Sequence, residues 1–330
     1  MQVVKLGNTG LKVSRLCLGT MTFGLQAEES RAVAILDAAH EFGIDFIDTA
    51  DVYPLGGDLS SVGRTEEIVG RWLKGRRSSF ILATKCSGPM GPKAFQGGNS
   101  RKHIVEAVEG SLRRLGTDYI DLYQLHRYDP DTPIEESLGA LTDLVRAGKV
   151  RYIGASNFLA YQLARAQGVA KASRLANFAT IQPRYNLLFR EFERELFPLC
   201  GLDNIGVIPY NPLAGGMLTG KHGASSAPTP GTRFTLGNAQ GIYQKRYWHD
   251  QAFEAVAQIS EVAASLGLGV ATLALAWVLH NPLVTAPIIG ASAPEQLKET
   301  VAALDVSLDS SVLGRLDEIT HQFRYGDAER

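Results

Sequence analysis

The sequence predicts an α/β protein folded as a closed (β/α)8 barrel, the TIM barrel. Short apolar, β-branched runs alternate about eight times with longer stretches of helical periodicity along the 330 residues. Each run is almost continuously apolar, which is typical of strands that a parallel sheet buries on both faces. No low-complexity linker divides the chain, so we expect residues 1–330 to form a single domain.

Eight segments have the apolar character of barrel strands, each followed by a helical stretch or a loop. In chain order they are Leu16–Gly19, Phe46–Thr49, Phe80–Lys85, Ile120–His126, Tyr152–Ser156, Ala179–Gln182, Gly206–Tyr210 and Thr285–Gly290. Helical spacing of apolar residues is clearest in Glu28–Glu41, Arg101–Leu115 and Ile134–Ala147. Glycine follows the second and third of these helices, as expected beyond a helix C-terminus.

Three segments lie outside the eight repeating units. Residues 1–14 alternate around an Asn8-Thr9-Gly10 turn, which predicts a hairpin that closes the bottom of the barrel. Residues 216–247 are rich in Gly, Pro, Ser and Thr and form a long loop after the seventh strand; loops of this length usually have a function. Residues Asp309–Thr320 predict an additional C-terminal helix.

The charge balance argues against several classes of partner. Lys and Arg number 33 and Asp and Glu 34, giving a net charge of −1, so we expect neither nucleic acid nor a membrane surface as a partner. No apolar run reaches the roughly 18 residues of a membrane helix, and no signal peptide is evident. The three widely spaced cysteines indicate a reducing compartment, the cytoplasm. No HExxH, HxH or CxxC pattern predicts a metal site.

Polar and ionisable residues accumulate where the predicted strands end. Active sites of these barrels lie at the C-terminal ends of the strands, so we expect these side chains to meet there. The residues at these ends are Asp48, Lys85, His126, Ser156, Asn157, Gln182 and Tyr210, with Tyr53 on the loop after the second strand. Asp48 and Lys85 have an alternative interpretation, an ion pair with a purely structural role.

This set of side chains is suited to proton donation to a carbonyl oxygen. A free tyrosine has a pKa near 10, too high for efficient acid–base catalysis at neutral pH. An ammonium group about 4 Å from the phenol oxygen is worth roughly 4 kcal/mol at an effective dielectric near 20, so Lys85 is expected to lower the pKa of Tyr53 by about three units before desolvation acts. Asp48 can balance the charge of Lys85, and His126 can donate a hydrogen bond to the carbonyl. A reduction would also need a nicotinamide cofactor.

Several long motifs in order resemble the aldo-keto reductases, in particular their bacterial aryl-alcohol-dehydrogenase-like and potassium-channel-β-like branches. The similarity covers nearly the whole chain. Its motifs are Val4–Ser14, Leu18–Gly24, Phe46–Tyr53, Asp121–His126, Gly148–Phe158 and Ile288–Ser292. The resemblance implies an NADPH-dependent enzyme that transfers hydride between the cofactor and an aldehyde or ketone. It makes Tyr53 the general acid or base, tuned by Lys85 and Asp48, with His126 orienting the substrate carbonyl.

The resemblance also implies the cofactor contacts. Ser156, Asn157 and Gln182 would bind the nicotinamide carboxamide, and Tyr210 would stack on its ring. The residues implied to cover the pyrophosphate are Asn211, Pro212, Leu213, Gly216, Lys221 and Arg233. Those implied to hold the adenosine end are Gly290, Ser292, Gln296 and Glu299, and Asp48, Thr20 and Met21 complete the cofactor set. No Lys or Arg lies between Gly290 and Gln296, so we expect only a moderate preference for NADPH over NADH.

Five rim residues are candidates for an apolar substrate wall, although each could equally be a packing residue: Phe23, Leu55, Phe95, Tyr128 and Phe158.

Two other functions remain as alternatives. An aldolase-like barrel would use Lys85 as a Schiff-base nucleophile, but Asp48 beside it favours the charged amine, which is not nucleophilic. A redox-sensing subunit would hold the cofactor tightly and turn over slowly. The channel-β branch tends to have another residue at the histidine position of the tetrad, so the presence of His126 favours catalysis.

Overall fold

Eight parallel strands form the central sheet of the computed structural model, which describes residues 1–224 and 226–327. Two further strands, β1 (Val3–Lys5) and β2 (Lys12–Ser14), pair antiparallel as the predicted hairpin. The barrel strands are β3 (Cys17–Gly19), β4 (Phe46–Asp48), β5 (Ile81–Cys86), β6 (Ile120–Leu125), β7 (Val150–Ser156), β8 (Phe178–Gln182), β9 (Gly206–Val207) and β10 (Ile288–Ile289). Each overlaps a predicted strand, which confirms the (β/α)8 barrel.

The barrel closes between its last two strands in the chain. The strand order runs from β10 through β3 to β9. Val207 bridges to Val284, and the Ile288 N–H donates to the Pro209 carbonyl over 2.8 Å. β9 and β10 are only two residues long, shorter than predicted. Pro209 and Pro287 lack the N–H that would extend the ladder, so regular pairing stops beside them.

Helices surround the barrel, and four were predicted to within one residue at each end. Ser100 and Asp309 cap the N-termini of two of them by accepting backbone N–H groups, and Gly116 ends the helix that Ser100 begins, in the left-handed conformation. The helices are α1 (Glu29–Glu41), α2 (Arg64–Leu73), α3 (Arg101–Leu115), α4 (Ile134–Arg146), α5 (Ala160–Ser173), α6 (Leu196–Asp203), α7 (Gln240–Tyr247), α8 (Asp250–Ser265), α9 (Val270–His280), α10 (Gln296–Ala302) and α11 (Ser310–Thr320). The predicted C-terminal helix is α11.

The long segment 216–247 is more ordered than the predicted loop. A short 3-10 turn at Ala214–Thr219 leads into it, two more lie at Arg233–Thr235 and Gly237–Ala239, and it ends in the helix α7. α7 buries only Tyr243 and Tyr247, so it has no apolar stripe from which helical periodicity could be detected.

The N-terminal hairpin seals one end of the barrel, as its alternation predicted. Leu6 and Val13 are fully buried in one apolar cluster with Phe46 and Leu122, which point inward from β4 and β6. This cluster fills the lower half of the barrel interior. The polar strand ends therefore face the opposite opening.

Gly7 allows the hairpin to approach the barrel closely. Its φ is +55°, and a Cβ atom there would lie 2.6 Å from both the Ala179 carbonyl oxygen and the Gly206 nitrogen. Both contacts are rigid backbone, so only glycine fits this position without moving the hairpin.

Within the described residues, no single helix is long and apolar enough to cross a membrane. α8 and α9 reach that length and composition only as a pair, and they meet at 92°.

Candidate active site

A polar layer lies directly above the apolar cluster inside the barrel. Side chains alternate along a strand, so residues two positions beyond Phe46, Ala83 and Leu122 also point inward. These residues are Asp48, Lys85 and Gln124, and all three are almost completely buried. The same alternation of side chains along the strands places apolar groups at the barrel floor and polar groups in the next inward-facing layer.

Asp48 and Lys85 form a buried ion pair at the centre of this layer. The Lys85 Nζ donates to Asp48 Oδ2 over 2.5 Å and to the Thr49 carbonyl over 2.8 Å. Burial lowers the pKa of Lys85, but the charges of Asp48 and the contact with Tyr53 outweigh this effect and leave the pKa above its usual value. Lys85 is thus a charged side chain, which disfavours the Schiff-base alternative.

Two glutamine amides occupy the other oxygen of Asp48. Gln124 donates to Asp48 Oδ1 over 3.1 Å and Gln182 donates to it over 2.9 Å. Gly154 makes room for Gln124, because a Cβ atom there would lie 3.1 Å from the Gln124 Cγ. Gln124 was not among the predicted site residues, although its position two residues before His126 on an inward-facing row could have identified it.

Tyr53 and His126 lie above Lys85 at the cavity. The Lys85 Nζ is 3.5 Å from the Tyr53 hydroxyl oxygen, and the Tyr53 and His126 rings meet edge to face with centroids 5.8 Å apart. Burial and the charge of Lys85 lower the pKa of His126 to about 3, so its imidazole is neutral at physiological pH. The expected cluster of Asp48, Lys85, Tyr53 and His126 is therefore present as one group.

The resting pKa of Tyr53 differs from the expectation. Burial raises it above its usual value, and the opposing charge of Lys85 only partly offsets this rise. The expected net lowering is wrong for this state of the protein, because the hydroxyl is desolvated and Lys85 is already neutralised by Asp48. Tyr53 is accordingly a protonated phenol, the form required of a general acid.

A hydrogen-bonded row connects His126 to Tyr210. The Asn157 amide donates to the His126 carbonyl over 2.9 Å, and the Tyr210 hydroxyl donates to Asn157 Oδ1 over 2.8 Å. Asn157 has a φ of +56°, a conformation that asparagine tolerates better than most residues. The Ser156 hydroxyl donates to the Gln182 carbonyl, so both residues are held within the same rim.

A cavity of about 550 Å³ opens above the polar layer. Its wall contains Tyr53, Asp48 and His126 and every predicted cofactor residue except Thr20. Thr20 lies beneath the surface, where its hydroxyl and N–H donate to the Asp48 carbonyl, and Lys85 is likewise below the cavity.

The Aldo/keto reductase family matches residues 15–321, nearly the whole chain. The protein belongs to this family. It is 42% identical to the uncharacterized oxidoreductase YrpG of Bacillus subtilis, over 97% of this chain and 96% of that protein. It is 38% identical to a probable voltage-gated potassium channel subunit beta of Oryza sativa subsp. japonica, over 93% and 92% of the two chains. Protein tas of Escherichia coli is 36% identical, over 98% and 99%. The family and these relatives make this aldo/keto reductase an oxidoreductase, and the family generally uses nicotinamide cofactors.

Arg233 of this aldo/keto reductase lies beside Gly290, one of the residues implied to hold the adenosine end. Its guanidinium nitrogen would be 3.3 Å from a Cβ atom on Gly290, and it donates to the Tyr243 hydroxyl. The long loop thus places a cation at the predicted adenosine end, where the local sequence has none. The Ser292 N–H and hydroxyl both contact Gln296 Oε1, so these two residues form one unit there.

Only one of the five candidate wall residues lines the cavity, and it is Leu55. Phe23 and Phe158 are fully buried packing residues, and Tyr128 packs edge to face against Phe158. Phe95 is 47% exposed and lies under Lys102. Rim loops turn some aromatic side chains toward the helices, and sequence position alone does not give that direction.

Several cavity residues were not predicted. Gln26 donates to the Gly231 carbonyl across the cavity edge, and Ile242, Tyr243 and Arg246 project from α7. The residues of α7 lack helical periodicity, so no helical face could be identified from which to select them.

Proposed function

We propose that this aldo/keto reductase is an NADPH-dependent carbonyl reductase that converts an aldehyde or ketone to an alcohol. The proposal depends on one observation: a protonated tyrosine lies at the floor of the cavity, 3.5 Å from a buried, charged lysine. In this arrangement Tyr53 can act as a general acid, and the Lys85 ammonium can stabilise its phenolate as the proton leaves.

Each residue of the cluster has a distinct part in the proposed reaction. NADPH would supply the hydride to the carbonyl carbon. Tyr53 donates its hydroxyl proton to the carbonyl oxygen, and the Lys85 ammonium stabilises the phenolate that results. The neutral His126 donates a ring N–H to the same oxygen and orients it. Asp48 keeps Lys85 charged and in place, so Asp48 and Lys85 act as positioning residues.

The cavity wall fits a dinucleotide in its chemistry. Tyr210 offers an aromatic ring whose hydroxyl is linked through Asn157 to the His126 carbonyl, and Asn157 and Ser156 offer polar groups at the same end. Lys221 and Arg233 supply positive charge further along, beside Gly216 and Gly290. Such a sequence of aromatic, amide and cationic groups matches a nicotinamide ring, its carboxamide and the phosphates of NADPH.

A preference for NADPH over NADH is supported by Arg233. The additional 2′-phosphate of NADPH lies on its adenosine ribose, and the predicted adenosine site holds Gly290, Ser292 and Gln296. Arg233 provides the charged partner that residues 290–296 lack.

The proposal is tested by steady-state assays of purified protein with NADPH and a panel of aromatic and aliphatic aldehydes and ketones, followed by the loss of NADPH absorbance. We expect turnover with at least one class of carbonyl. Absence of turnover across the panel, in both directions of the reaction, would contradict the proposal. Trapping with borohydride and a carbonyl substrate should give no covalent adduct at Lys85, whereas an adduct would favour the aldolase-like alternative.

A redox-sensing subunit remains the second candidate, because the chain is similar to probable potassium channel beta subunits. It predicts tight cofactor binding with very slow turnover. Single-turnover and steady-state rates with the same aldehyde separate the two functions. A rapid first reduction followed by cofactor exchange too slow to sustain turnover would favour the sensor.

A further inference from the structure

Arg246 is a cation of the cavity wall that the proposed reaction does not use. It lies on α7, one helical turn after Tyr243 and Ile242, and all three side chains line the cavity. Across residues 1–224 and 226–327, no hydrogen bond or ion pair engages its side chain. A half-buried guanidinium facing a cavity without a partner is suited to bind an anion.

The carboxylates of the cavity wall do not neutralise Arg246. These are Asp48 and Glu299. Asp48 is held by Lys85, Gln124 and Gln182, and Glu299 lies against Gly269, where a Cβ atom would be 2.5 Å from its Oε1. The anion for Arg246 would therefore come from a bound molecule.

The end of α7 that carries Arg246 lies beside Tyr210 and Asn211. The Asn186 amide donates to the hydroxyl of Tyr247, the next residue of α7, over 3.1 Å and to the Asn211 carbonyl over 2.9 Å. Burial raises the pKa of Tyr210 to about 12, and the nearby charge of Arg246 opposes that rise. The Tyr210 hydroxyl in turn bonds to Asn157, and Asn157 bonds to the His126 carbonyl. Lys221 and Arg233, by contrast, lie beside Gly216 and Gly290, where the cofactor phosphates are proposed to bind.

We propose that Arg246 binds a carboxylate on the carbonyl substrate, so that the enzyme prefers aldehydes or ketones carrying an acidic group. This inference rests on the proposed carbonyl reduction. The planar guanidinium can donate two parallel hydrogen bonds to a carboxylate, and Ile242 and Leu55 offer apolar surface for the carbon skeleton between the two ends.

The test compares two substrates of nearly equal shape, 4-carboxybenzaldehyde and its neutral methyl ester, methyl 4-formylbenzoate. The wild-type enzyme should have the higher kcat/KM for the acid. Arg246→Gln should lower kcat/KM for the acid by about tenfold to a hundredfold, mainly through KM, and change it less than about twofold for the ester. Lys245→Gln removes an adjacent, exposed charge outside the cavity wall and should change neither value.

Three results would overturn the inference. Equal losses for acid and ester in Arg246→Gln would show a role in shape or folding. A rise in the Kd of NADPH in Arg246→Gln as large as the loss of kcat/KM for the acid would show that Arg246 binds the cofactor. Terephthalate binding to the enzyme–NADP⁺ complex, measured by calorimetry, gives a readout without turnover, and an unchanged Kd in Arg246→Gln would also contradict it. Failure of the wild type to reduce either aldehyde would instead count against the proposed function, and the terephthalate Kd would still decide the role of Arg246.

Discussion

At the scale of single residues, the chemistry depends on how Lys85 divides its hydrogen bonds. Its ammonium group bonds to Asp48 and the Thr49 carbonyl at short distance and reaches the Tyr53 hydroxyl only at 3.5 Å. The Asp48 carboxylate is therefore the main hydrogen-bond and charge partner of Lys85 in the resting state. A negative charge on Tyr53 would attract the same ammonium group. Lys85 therefore stabilises the Tyr53 phenolate mainly as the proton leaves.

Tyr53→Phe should abolish most carbonyl reduction while leaving the Kd of NADPH nearly unchanged. The substitution removes the proposed proton donor and keeps the ring that packs beside His126. A loss of about 10²–10⁴-fold in kcat is expected, measured with hydride transfer rate-limiting. Tyr128→Phe is the matched control, because that residue lies outside the cavity wall and should retain full activity. A Tyr53→Phe enzyme with more than half of wild-type kcat would exclude Tyr53 as the acid.

Lys85→Met should affect both the pH dependence and the stability. The Lys85 charge opposes the burial-driven rise in the pKa of Tyr53, so its removal raises that pKa further. Alcohol oxidation needs deprotonated Tyr53, and its pH–rate limb should therefore move to higher pH. Leaving Asp48 buried without its partner should also cost about 3–5 kcal/mol in the free energy of unfolding, measured with denaturant. An unmoved limb in folded protein would show that Lys85 does not tune Tyr53.

The sequence was sufficient to predict the central residues of the site but not their resting protonation. Asp48, Lys85 and His126 end buried strands, and such ends must converge in a barrel. The net pKa of Tyr53 depends on the balance between desolvation and charge, which requires positions in three dimensions. Gln124 could have been found by alternation, whereas the direction of Phe23 and Phe158 could not.

At the scale of secondary-structure elements, predictability followed the strength of the apolar pattern. β6 has a largely apolar run and α3 has clear caps, and the positions of both were predicted closely. α7 buries just two tyrosines, and its helical state depends on packing against the rest of the molecule. The least predictable element therefore supplies Tyr243 and Arg246 to the cavity.

Gly7→Ala should destabilise the protein by roughly 2–4 kcal/mol, because it combines a strained positive φ with a clash against rigid backbone. Gly10→Ala, in the same hairpin, is the matched control: a Cβ atom there meets nothing within 4 Å, so a change below about 0.5 kcal/mol is expected. Chemical denaturation of both variants checks the prediction. Equal stability of the two variants would mean that the hairpin is not held tightly against the barrel.

At the scale of the whole molecule, the cavity is assembled from segments far apart in the chain. Arg233 belongs to the long loop, yet its guanidinium lies beside Gly290 at the end of β10. Local sequence around residue 290 suggested a weak site for a 2′-phosphate because it contains no cation. Long-range packing supplies the charge, which no short motif could reveal.

Arg233→Met should reduce the preference for NADPH over NADH by about tenfold or more, since a charged hydrogen bond is worth roughly 1.5–3 kcal/mol. Kd values for both cofactors provide the measurement. Arg165→Met, on the exposed surface of α5, should leave their ratio unchanged. Ser292→Arg should widen the ratio by adding a second cation at the same place. If neither Arg233→Met nor Ser292→Arg moves the ratio, the 2′-phosphate binds elsewhere.

The hairpin that seals the barrel floor also constrains the order in which ligands bind and leave. With Leu6 and Val13 closing the lower end, cofactor and substrate share one entrance. A carbonyl compound seated at Tyr53 would obstruct a dinucleotide arriving later, so the cofactor should enter first and leave last. In product-inhibition experiments, NADP⁺ should then compete with NADPH, whereas the alcohol should not. The closed lower end of the barrel would in this way impose an ordered binding of cofactor and substrate at the open end.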